Sequence, residues 1–350
     1  MLYSKGEYLL KIFEISFKDF YHVGWRKIQN IIESLTIHRA LISQLYEVYG
    51  SSISKNLLDE ATEVKLSSLL PAIKHGDCFK IFIPFDHVPS KTKLSKLGVK
   101  WITLRAVAEF IKEIKECNNP PNLDIISRDA DKKELFYQCD SEKRELKNIA
   151  VGKGFIYHVD EEAAIKNISA DFFETKEFWR NRIDRLSSAA DLYKVYVVKP
   201  KTSMILMAEG GSSRFMNNLL DQLKLLGELG LGGLRSYGLG RFSVSEADLC
   251  RDGLDYNKLI GWRSDGYYVS LGSFLDVNSL DLRRSIIRLG YLEGFSGPSY
   301  GAYHLPRIIY ASAGSILYLK NQPKIFKYEI KGIDPSYVPV IVFNPIIIGG

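Results

Sequence analysis

The sequence from Gly227 to Gly240 is GELGLGGLRSYGLG, a stretch in which six of fourteen residues are glycine. At the average of the whole chain, 27 glycines in 350 residues, about one glycine would be expected here. An apolar stripe at three-four spacing predicts an amphipathic helix directly before this stretch, capped by Ser212-Ser213. The stripe consists of Met216, Leu219, Leu220, Leu223 and Leu226. The segment RFSVSEA after it predicts a strand, so a glycine-rich loop leads from a helix into a strand.

The elements around this helix follow an order that also occurs in the first half of the chain. LYKVYVVKP (192–200) and SMILMA (203–208) predict two strands before the helix. Near the N-terminus, EYLLKIFEISFK (7–18) predicts a strand because its apolar residues alternate at period two. A long amphipathic helix is then predicted from Trp25 to a stop at Gly50. A further strand and a further helix are predicted at CFKIFIPF (78–85) and ITLRAVAEFIKEI (102–114).

The middle and the C-terminal third are rich in short β-like runs. The segment from Leu135 to Val159 holds two such runs joined by charged residues and glycine, which predicts a protruding hairpin. Four strands are predicted further on, at YYVSLGSF, RIIYAS, SILYLK and IFKYEI. Short strands with few long helices favour a mixed α+β fold over a doubly wound parallel sheet.

The recurring element order predicts an α+β fold of two tandem ferredoxin-like (RRM-like) domains, each a β-α-β-β-α-β unit. The N-terminal domain is expected to cover residues 1–190, with the protruding β-hairpin inserted near 135–159. The C-terminal domain is expected to cover residues 191–350 and to contain the glycine-rich loop at 227–240. The repetition lies in the order of elements, since the two halves share no repeated sequence.

The composition excludes several classes of protein. With 46% hydrophobic and 25% charged residues, the chain is neither mainly disordered, nor collagen-like, nor embedded in a membrane. The most apolar stretch, VPVIVFNPIIIGG, is shorter than the roughly 20 residues of a spanning helix, and prolines interrupt it. The N-terminus MLYSKGEYLLKIFEISF lacks the apolar core of a signal peptide. We therefore expect a soluble, cytoplasmic protein.

Charge and cysteine content narrow the possible sites. The net charge is +6 and no basic tail exists, so a site for a polyanion must be a local patch. The four cysteines, Cys78, Cys117, Cys139 and Cys250, form no CxxC pair. Structural zinc needs closely spaced ligand pairs, and long chains with few cysteines seldom depend on disulfides. We expect neither a structural zinc site nor a disulfide scaffold, and no cofactor.

The glycine-rich loop has the residues of an anion site. Glycine allows a close approach of the backbone to a ligand, and successive amides at a turn can bind phosphate. Arg235, Ser236, Tyr237 and Arg241 add charge, a hydroxyl donor and a ring that could stack on a base. A P-loop is excluded because no GK[ST] occurs, and a dinucleotide fingerprint would have to follow a strand. The alternative is a purely structural turn whose glycines serve positive φ.

A second segment, FWRNRIDRLSSAADLYKVYVV (178–198), combines three closely spaced arginines with aromatic neighbours. Guanidinium groups pair with phosphates, and rings stack on splayed bases, so this composition suits single-stranded RNA. The alternative is a solvated face in which Asp184 and Asp191 neutralise the arginines. Considered alone, the segment leaves both readings open.

Together, the two segments resemble a known family. GLGGLRSYGLGRF (230–242) resembles the glycine-rich loop of the RAMP superfamily of CRISPR ribonucleoproteins. RNRIDR (180–185), followed by LYKVYVV, resembles the R-N-x-I-D-R…LY pattern of the Csm-type, Cas-five-like subunit of type III effector complexes. The N-terminal strand with His22-Val-Gly24 after it, and SSLLPA (67–72), are also similar to that family. The resemblance extends in scattered blocks from about Tyr8 to Phe242 and weakens in the C-terminal third.

The resemblance implies a non-catalytic subunit that binds the five-prime handle of the CRISPR RNA in antiviral defence. It implies tandem ferredoxin-like domains, a β-hairpin thumb that could be residues 135–159, and a hetero-oligomeric complex. The implied partners are the CRISPR RNA, the large polymerase-like subunit and the backbone RAMP subunits. The residues expected to contact RNA are His22, Lys27, Arg180, Asn181, Arg182, Arg185, Gly230, Gly232, Gly233, Arg235, Ser236, Tyr237, Gly238, Gly240 and Arg241, with backbone amides around Gly232 and Gly233 on phosphate.

Two other functions remain open. One is a metal-independent RAMP endoribonuclease that processes CRISPR transcripts with His22 as general acid or base. The other is a purely structural assembly subunit whose basic patches meet acidic partners. No pair of carboxylates, nucleophile motif or metal-ligand spacing in the sequence supports catalysis, and His22 could equally bind the local backbone.

Overall fold

A computed structural model of the protein describes residues 10–24, 29–50, 53–90, 94, 98–127, 133–183, 190–296, 303–329 and 340–349. Within these residues the helices are α1 (Ser34–Tyr49), α2 (Lys55–Glu63), α3 (Leu104–Ile114), α4 (Glu162–Ile165), α5 (Ser213–Leu229) and α6 (Tyr256–Leu259). None of them is both long and apolar enough to cross a membrane.

Strands make up most of the remaining secondary structure. The first eleven are β1 (Leu10–Phe17), β2 (Lys65–Leu66), β3 (Leu70–His75), β4 (Cys78–Pro84), β5 (Trp101–Thr103), β6 (Asn122–Ser127), β7 (Lys133–Cys139), β8 (Glu142–Gly152), β9 (Phe155–His158), β10 (Phe173–Ile183) and β11 (Ala190–Pro200). The others are β12 (Ser203–Glu209), β13 (Phe242–Glu246), β14 (Gly266–Ser270), β15 (Leu289–Leu292), β16 (Phe295–Ser296), β17 (Tyr303–His304), β18 (Ile308–Ala311), β19 (Ile316–Leu319), β20 (Phe326–Glu329), β21 (Val340–Phe343) and β22 (Ile347–Gly349). The fold is α+β, as predicted.

The largest sheet begins with four antiparallel strands in the order β13-β1-β12-β3. With α1 after β1 and α5 after β12, these elements follow the β-α-β-β-α-β order of a ferredoxin-like unit. Phe13 on β1 is paired on both sides, because it lies opposite Leu206 of β12 on one side and Glu246 of β13 on the other. Strands from both ends of a long stretch of chain therefore form one unit.

This pairing moves the predicted domain boundary. The division expected at residue 191 separates β1 from β12 and β13, yet these three strands are neighbours in one sheet. Strand β12 is buried on both faces. Met204 and Leu206 pack with α1 and α5, whereas Ile205 and Met207 pack with α3 and the C-terminal strands. A boundary at residue 191 would cut through both of these cores.

The helices follow the predicted apolar spacing, although one of them begins later than predicted. Helix α5 is capped by Ser212, whose Oγ accepts a hydrogen bond from the amide of Phe215 at 3.0 Å, as expected. Helix α1 begins at Ser34 and ends at Tyr49, with Gly50 as its C-cap, whereas the pattern placed its start at Trp25, which lies outside the described residues. Its N-cap residue, Glu33, is extended and buried.

The segment 135–159 is not a protruding hairpin. Strands β7, β8 and β9 extend the large sheet beyond β5. Because Tyr137 on β7 and Leu146 on β8 are buried in the core around α3, these strands do not protrude from the fold. The long two-stranded hairpin of the molecule is β10–β11, in which eleven residue pairs are in register from Phe173–Pro200 to Ile183–Ala190. The sequence pattern of a hairpin therefore predicted local strands correctly and their position incorrectly.

The C-terminal third forms small sheets that cover the large one. Strand β14 lies between β19 and β22, β15 pairs with β18, and β20 pairs with β21. The four strands predicted here correspond to β14, β18, β19 and β20. The amide of Leu66 donates to the carbonyl of Asn344 at 3.1 Å, which joins the C-terminal end to the first half of the chain.

All four cysteines are paired in two disulfides, although the sequence did not favour a disulfide scaffold. Cys78 at the start of β4 is bonded to Cys250, and Cys117 after α3 is bonded to Cys139 at the end of β7. The partners are 172 and 22 residues apart in the sequence, so no local spacing indicates them. Among the described residues, no group of His, Cys, Asp and Glu could hold a metal ion.

Candidate nucleic-acid interface

The base of the glycine-rich loop is a tight structural turn. Gly230 ends α5 with φ +85°, and a Cβ there would lie 2.7 Å from the carbonyl oxygen of Leu239. Gly240 has φ +78° and lies against the backbone of Leu231, whose amide donates to the Gly240 carbonyl at 2.9 Å. At these two positions glycine is required by packing, as the structural alternative proposed.

The next two glycines contact the turn after β1. The amide of Gly233 donates to the carbonyl oxygen of His22 at 2.7 Å. A Cβ on Gly232, which has φ +97°, would lie 2.5 Å from the same oxygen. The expectation that the Gly233 amide binds phosphate is therefore wrong, because a protein carbonyl already accepts its hydrogen. The glycines let two loops approach each other closely.

The tip of the loop is exposed and cationic. Arg235, Ser236 and Tyr237 form a single 3-10 turn that ends at Gly238 with φ +81°. The side chain of Tyr237 is 64% exposed, and Arg241 at the end of the loop is also exposed. The groups that could contact a ligand therefore lie at the tip, whereas the glycines on either side of it shape the turn.

The arginine-rich segment reaches this tip. Arg180 lies on β10, and its guanidinium carbon lies 3.3 Å from the ring centroid of Tyr237. The Nη1 atom of Arg180 is buried without a hydrogen-bond partner among the described residues. Asn181 is exposed, and Arg182 lies on β10 opposite Asp191. Two of the other predicted contacts, Lys27 and Arg185, lie outside the residues that the structure describes.

His22 joins the loop to the β10–β11 hairpin. Its Nδ1 lies 2.7 Å from the carbonyl oxygen of Tyr196, while its own carbonyl accepts from Gly233. Because a carbonyl can only accept, Nδ1 is the donor in this hydrogen bond. The alternative to a functional role for His22 was a hydrogen bond to the local backbone. Its ring instead contacts the backbone of β11, 174 residues away in the sequence, at a position that borders the predicted site.

A cleft of about 1120 Å³ opens beside the loop. One part of its lining, the first wall, contains His22, Gly232, Gly233 and Arg235, and another part, the second wall, comes from strands β15 and β18. Four arginines and two glutamates line the cleft, so its charge is positive; they are Arg39, Arg235, Arg288, Arg307, Glu33 and Glu293. Sequence reasoning missed the second wall because its residues are distant in sequence from both recognised motifs.

A buried carboxylate holds the floor of the cleft together. Glu33 Oε2 accepts hydrogen bonds from Ser68 Oγ at 2.8 Å, from Ser273 Oγ at 3.3 Å and from the Ala313 amide at 3.3 Å. Its Oε1 lies 3.7 Å from Nη1 of Arg288. Burial raises the pKa of Glu33, and the Arg288 charge opposes that rise. Arg288 is thereby fixed at the wall of the cleft, with Nη1 3.1 Å from Ser312 Oγ.

Comparison with known proteins identifies the fold. No family model and no curated protein sequence matches the chain. A chain of the crystal structure of a Csm3-Csm4 subcomplex from a type III-A CRISPR-Cas interference complex aligns with a TM-score of 0.59 at 16% identity, over 97% of this chain and 99% of that one. A chain of a Csm1-Csm4 cassette in complex with cA4 aligns with a TM-score of 0.47 at 12% identity, over 97% and 98%. A chain of a type III-B Cmr-beta complex bound to cognate target RNA and AMPPnP aligns with a TM-score of 0.45 at 11% identity, over 88% and 86%.

The first of these alignments spans nearly the whole of both chains. The protein therefore has the fold of a subunit of a type III CRISPR effector complex. This confirms, for the fold, the resemblance that the two sequence motifs indicated.

Proposed function

We propose that this protein is a non-catalytic RNA-binding subunit of a type III CRISPR effector ribonucleoprotein. It binds the five-prime handle of the CRISPR RNA at the tip of the glycine-rich loop and in the adjoining cleft. The observation that supports this most strongly is the contact between Arg180 and Tyr237. It brings together the two segments that, in the sequence, carry the resemblance to RNA-binding subunits.

The chemistry of this surface suits a single strand. Tyr237 offers an exposed ring for base stacking, and Arg235 and Arg241 offer guanidinium groups to phosphates. The guanidinium group of Arg180 lies against the Tyr237 ring and supports it from one face. Because the net charge of the chain is modest, RNA binding needs a local cationic patch. The four arginines of the cleft form such a patch.

The β10–β11 hairpin is the thumb in this proposal, in place of residues 135–159. It carries exposed apolar side chains near its end, with Trp179 and Leu192 each 62% exposed. The ammonium group of Lys194 lies 4.7 Å from the Trp179 ring, so apolar surface and positive charge occur together. Such a combination suits contact with nucleic acid bases next to phosphates.

Assembly with other subunits is part of the proposal. The structural neighbour with the TM-score of 0.59 comes from a subcomplex of two different subunits, which supports a hetero-oligomeric context. Docking of the large polymerase-like subunit and of backbone RAMP subunits rests on the family resemblance. Recovery of both with a tagged copy of this protein from native cells, and their loss from a β10–β11 deletion or a surface variant, would map those contacts.

Equilibrium binding tests the proposal. The full chain is titrated against a labelled CRISPR RNA and against the same RNA with a scrambled handle, with Arg235→Ala and Tyr237→Ala as variants. Tyr328→Ala, an exposed tyrosine on β20, is the matched control. We expect preference for the intact handle and weaker binding only in the first two variants. Absence of RNA binding, both alone and in the assembled complex, would support a structural subunit instead. Cleavage of repeat RNA that His22→Ala abolishes would support an endoribonuclease.

A further inference from the structure

The second wall of the cleft presents an apolar face that is exposed in the part of the chain that the structure describes. Strands β15 and β18 pair antiparallel, with Tyr291 opposite Ile309. Leu289, Tyr291 and Ile309 are 57%, 41% and 52% exposed, respectively. We call these three residues the β15–β18 platform. Neighbouring large apolar residues that are exposed together often mark a binding surface, so the platform indicates a ligand.

The hairpin is held rigidly behind this face. Leu292 and Tyr310, which alternate with the platform residues, are buried in one small core with Phe343. Gly290 lies directly against the ring of Tyr310, where no Cβ would fit. The exposed residues thus lie on a preformed surface, and binding does not require them to be ordered first.

Positive charge borders the platform. The guanidinium carbon of Arg307 lies 5.1 Å from the centroid of the Tyr291 ring, and its Nε lies 2.8 Å from Glu293 Oε1. Arg288, directly before β15, is held by the buried Glu33. The Tyr291 ring beside Arg307, in a cleft that Arg288 also lines, suits a nucleotide, whose base stacks while its phosphates pair with guanidinium groups.

Two of the three platform residues, Leu289 and Tyr291, line the same cleft as the glycine-rich loop. Arg307, Arg235 and Gly233 also belong to its lining, and Ile309 lies opposite Tyr291 in the strand pair. An RNA strand bound at the loop tip therefore passes the platform. This continuity, together with the flanking arginines, identifies the occupant as a nucleotide of that strand.

We propose that the β15–β18 platform binds one unpaired base of the RNA strand that the glycine-rich loop holds. Tyr291 stacks on the base, Leu289 and Ile309 contact its edges, and Arg307 pairs with an adjacent phosphate. The inference rests on the proposed function and extends it, because it gives the C-terminal part of the chain a direct role in RNA recognition.

Abasic scanning tests the platform. Single abasic substitutions are placed along the handle, and the affinity of each RNA is measured with the wild-type chain, Tyr291→Ala, Tyr291→Phe and Ile309→Ser. We expect one position at which the abasic RNA binds the wild type about tenfold more weakly. Tyr291→Ala should bind the intact RNA about tenfold more weakly than the wild type does. For this variant, the abasic substitution at that position of the RNA should cause no further loss of affinity. Tyr291→Phe should keep the full affinity, and Ile309→Ser should lose part of it.

The outcomes separate this inference from the proposed function. If Arg235→Ala weakens binding while Tyr291→Ala binds like the wild type, the proposed function holds and the platform is wrong. The platform is also wrong if, at every position of the RNA, the loss of affinity from Tyr291→Ala and the loss from the abasic substitution simply add. If the wild-type chain shows no preference for the handle, the proposed function and the platform fail together. Unchanged melting temperatures of the variants exclude unfolding as the cause of any loss.

Discussion

The guanidinium group of Arg180 on β10 lies over the ring of Tyr237 in the glycine-rich loop, 3.3 Å from its centroid. The two residues are far apart in the sequence and belong to two different motifs. Their contact fixes one face of the ring, while the side chain as a whole stays 64% exposed. A base that stacks on Tyr237 would therefore meet a ring already positioned by a cation.

Loss of the Tyr237 ring should weaken RNA binding without affecting the fold. Because base stacking on one ring contributes ~1–3 kcal/mol, Tyr237→Ala should bind the handle RNA about tenfold more weakly. Arg180→Ala should also weaken binding, and the double variant should lose less than the sum because the two side chains act together. Equilibrium titration measures all three, with Tyr328→Ala as the control that should bind normally. Full additivity would show that Arg180 and Tyr237 act independently.

Two glycines of the loop should differ sharply in their tolerance of alanine. Gly238 and Gly240 both have positive φ, but a Cβ at Gly238 meets nothing within 4 Å, whereas at Gly240 it collides with the Leu231 backbone. Gly238→Ala should cost only the backbone strain, about 1 kcal/mol of unfolding free energy. Gly240→Ala should cost roughly 2 kcal/mol or more. Chemical denaturation compares them, and equal losses would mean that the loop does not pack as described.

Salt should weaken binding by an amount that reflects phosphate contacts. If about four arginines pair with phosphates, the slope of log affinity against log salt should be about −3 for a single strand, at ~0.7 per contact. Arg235→Ala should reduce the steepness of this slope by ~0.7, because one phosphate contact is lost. Titrations at several salt concentrations measure the slope. A slope near zero would exclude phosphate pairing as the basis of binding.

Acid should destabilise the fold through a buried histidine. His38 lies on α1, with Nε2 2.8 Å from the carbonyl oxygen of Val64 just before β2, and burial lowers its pKa to about 4. In the unfolded chain the ring takes a proton near its ordinary pKa of 6.5. Between these two values the unfolded state binds more protons, so the free energy of unfolding falls as the pH falls. The expected loss from His38 is about 2 kcal/mol by a pH of about 5.

Comparison with His38→Gln isolates this contribution. Glutamine keeps a side-chain N–H for the Val64 carbonyl and does not titrate. The variant should therefore lose less stability than the wild type between neutral pH and a pH of about 5. His87, whose pKa burial lowers to about 3, is present in both proteins and cancels in the difference. Parallel curves for the two proteins would show that His38 is not buried in its neutral form.

Removal of the long-range disulfide should be costly. The Cys78–Cys250 bond closes a loop of 172 residues and joins β4 to the segment after β13. Because cross-links restrict the unfolded chain, Cys78→Ser together with Cys250→Ser should lower the unfolding free energy by ~2–5 kcal/mol. Thiol titration of the unreduced, denatured wild type should find no free thiol. Four free thiols under those conditions would contradict both pairings.

Local patterns predicted the individual elements well, because the periodicity of apolar residues reports which side of an element is buried. Strand β1, helix α5 with its Ser212 cap, and strand β4 all lie where the spacing placed them. The glycine-rich loop was recognised by density alone, since six glycines in fourteen residues have no common explanation other than a special backbone. The spacing of the glycines could not show whether the loop backbone packs against protein or against a ligand. The Gly233 amide proved to donate to His22.

The pairing of strands that are distant in the sequence could not be predicted from local patterns, for a physical reason. Strand order depends on which strands exchange hydrogen bonds, and β12 inserts between β1 and β3 across more than half of the chain. The boundary at residue 191 and the protruding hairpin at 135–159 were inferred from neighbours in the sequence. The platform around Tyr291 was missed for the same reason, because its partner Ile309 follows after several other short elements. A disulfide scaffold was not expected because long chains with few cysteines seldom depend on such bonds.

Target cleavage by a reconstituted effector tests the central claim most directly. Complexes are assembled with the wild-type chain, Arg235→Ala or Tyr237→Ala, and guide RNA occupancy and single-turnover target cleavage are measured on the same preparations. If the protein holds the guide without taking part in chemistry, both variants should retain less guide RNA. The cleavage rate per guide-loaded complex should then equal that of the wild type. A collapse of that normalised rate in Arg235→Ala, with guide occupancy still full, would contradict the proposed non-catalytic role.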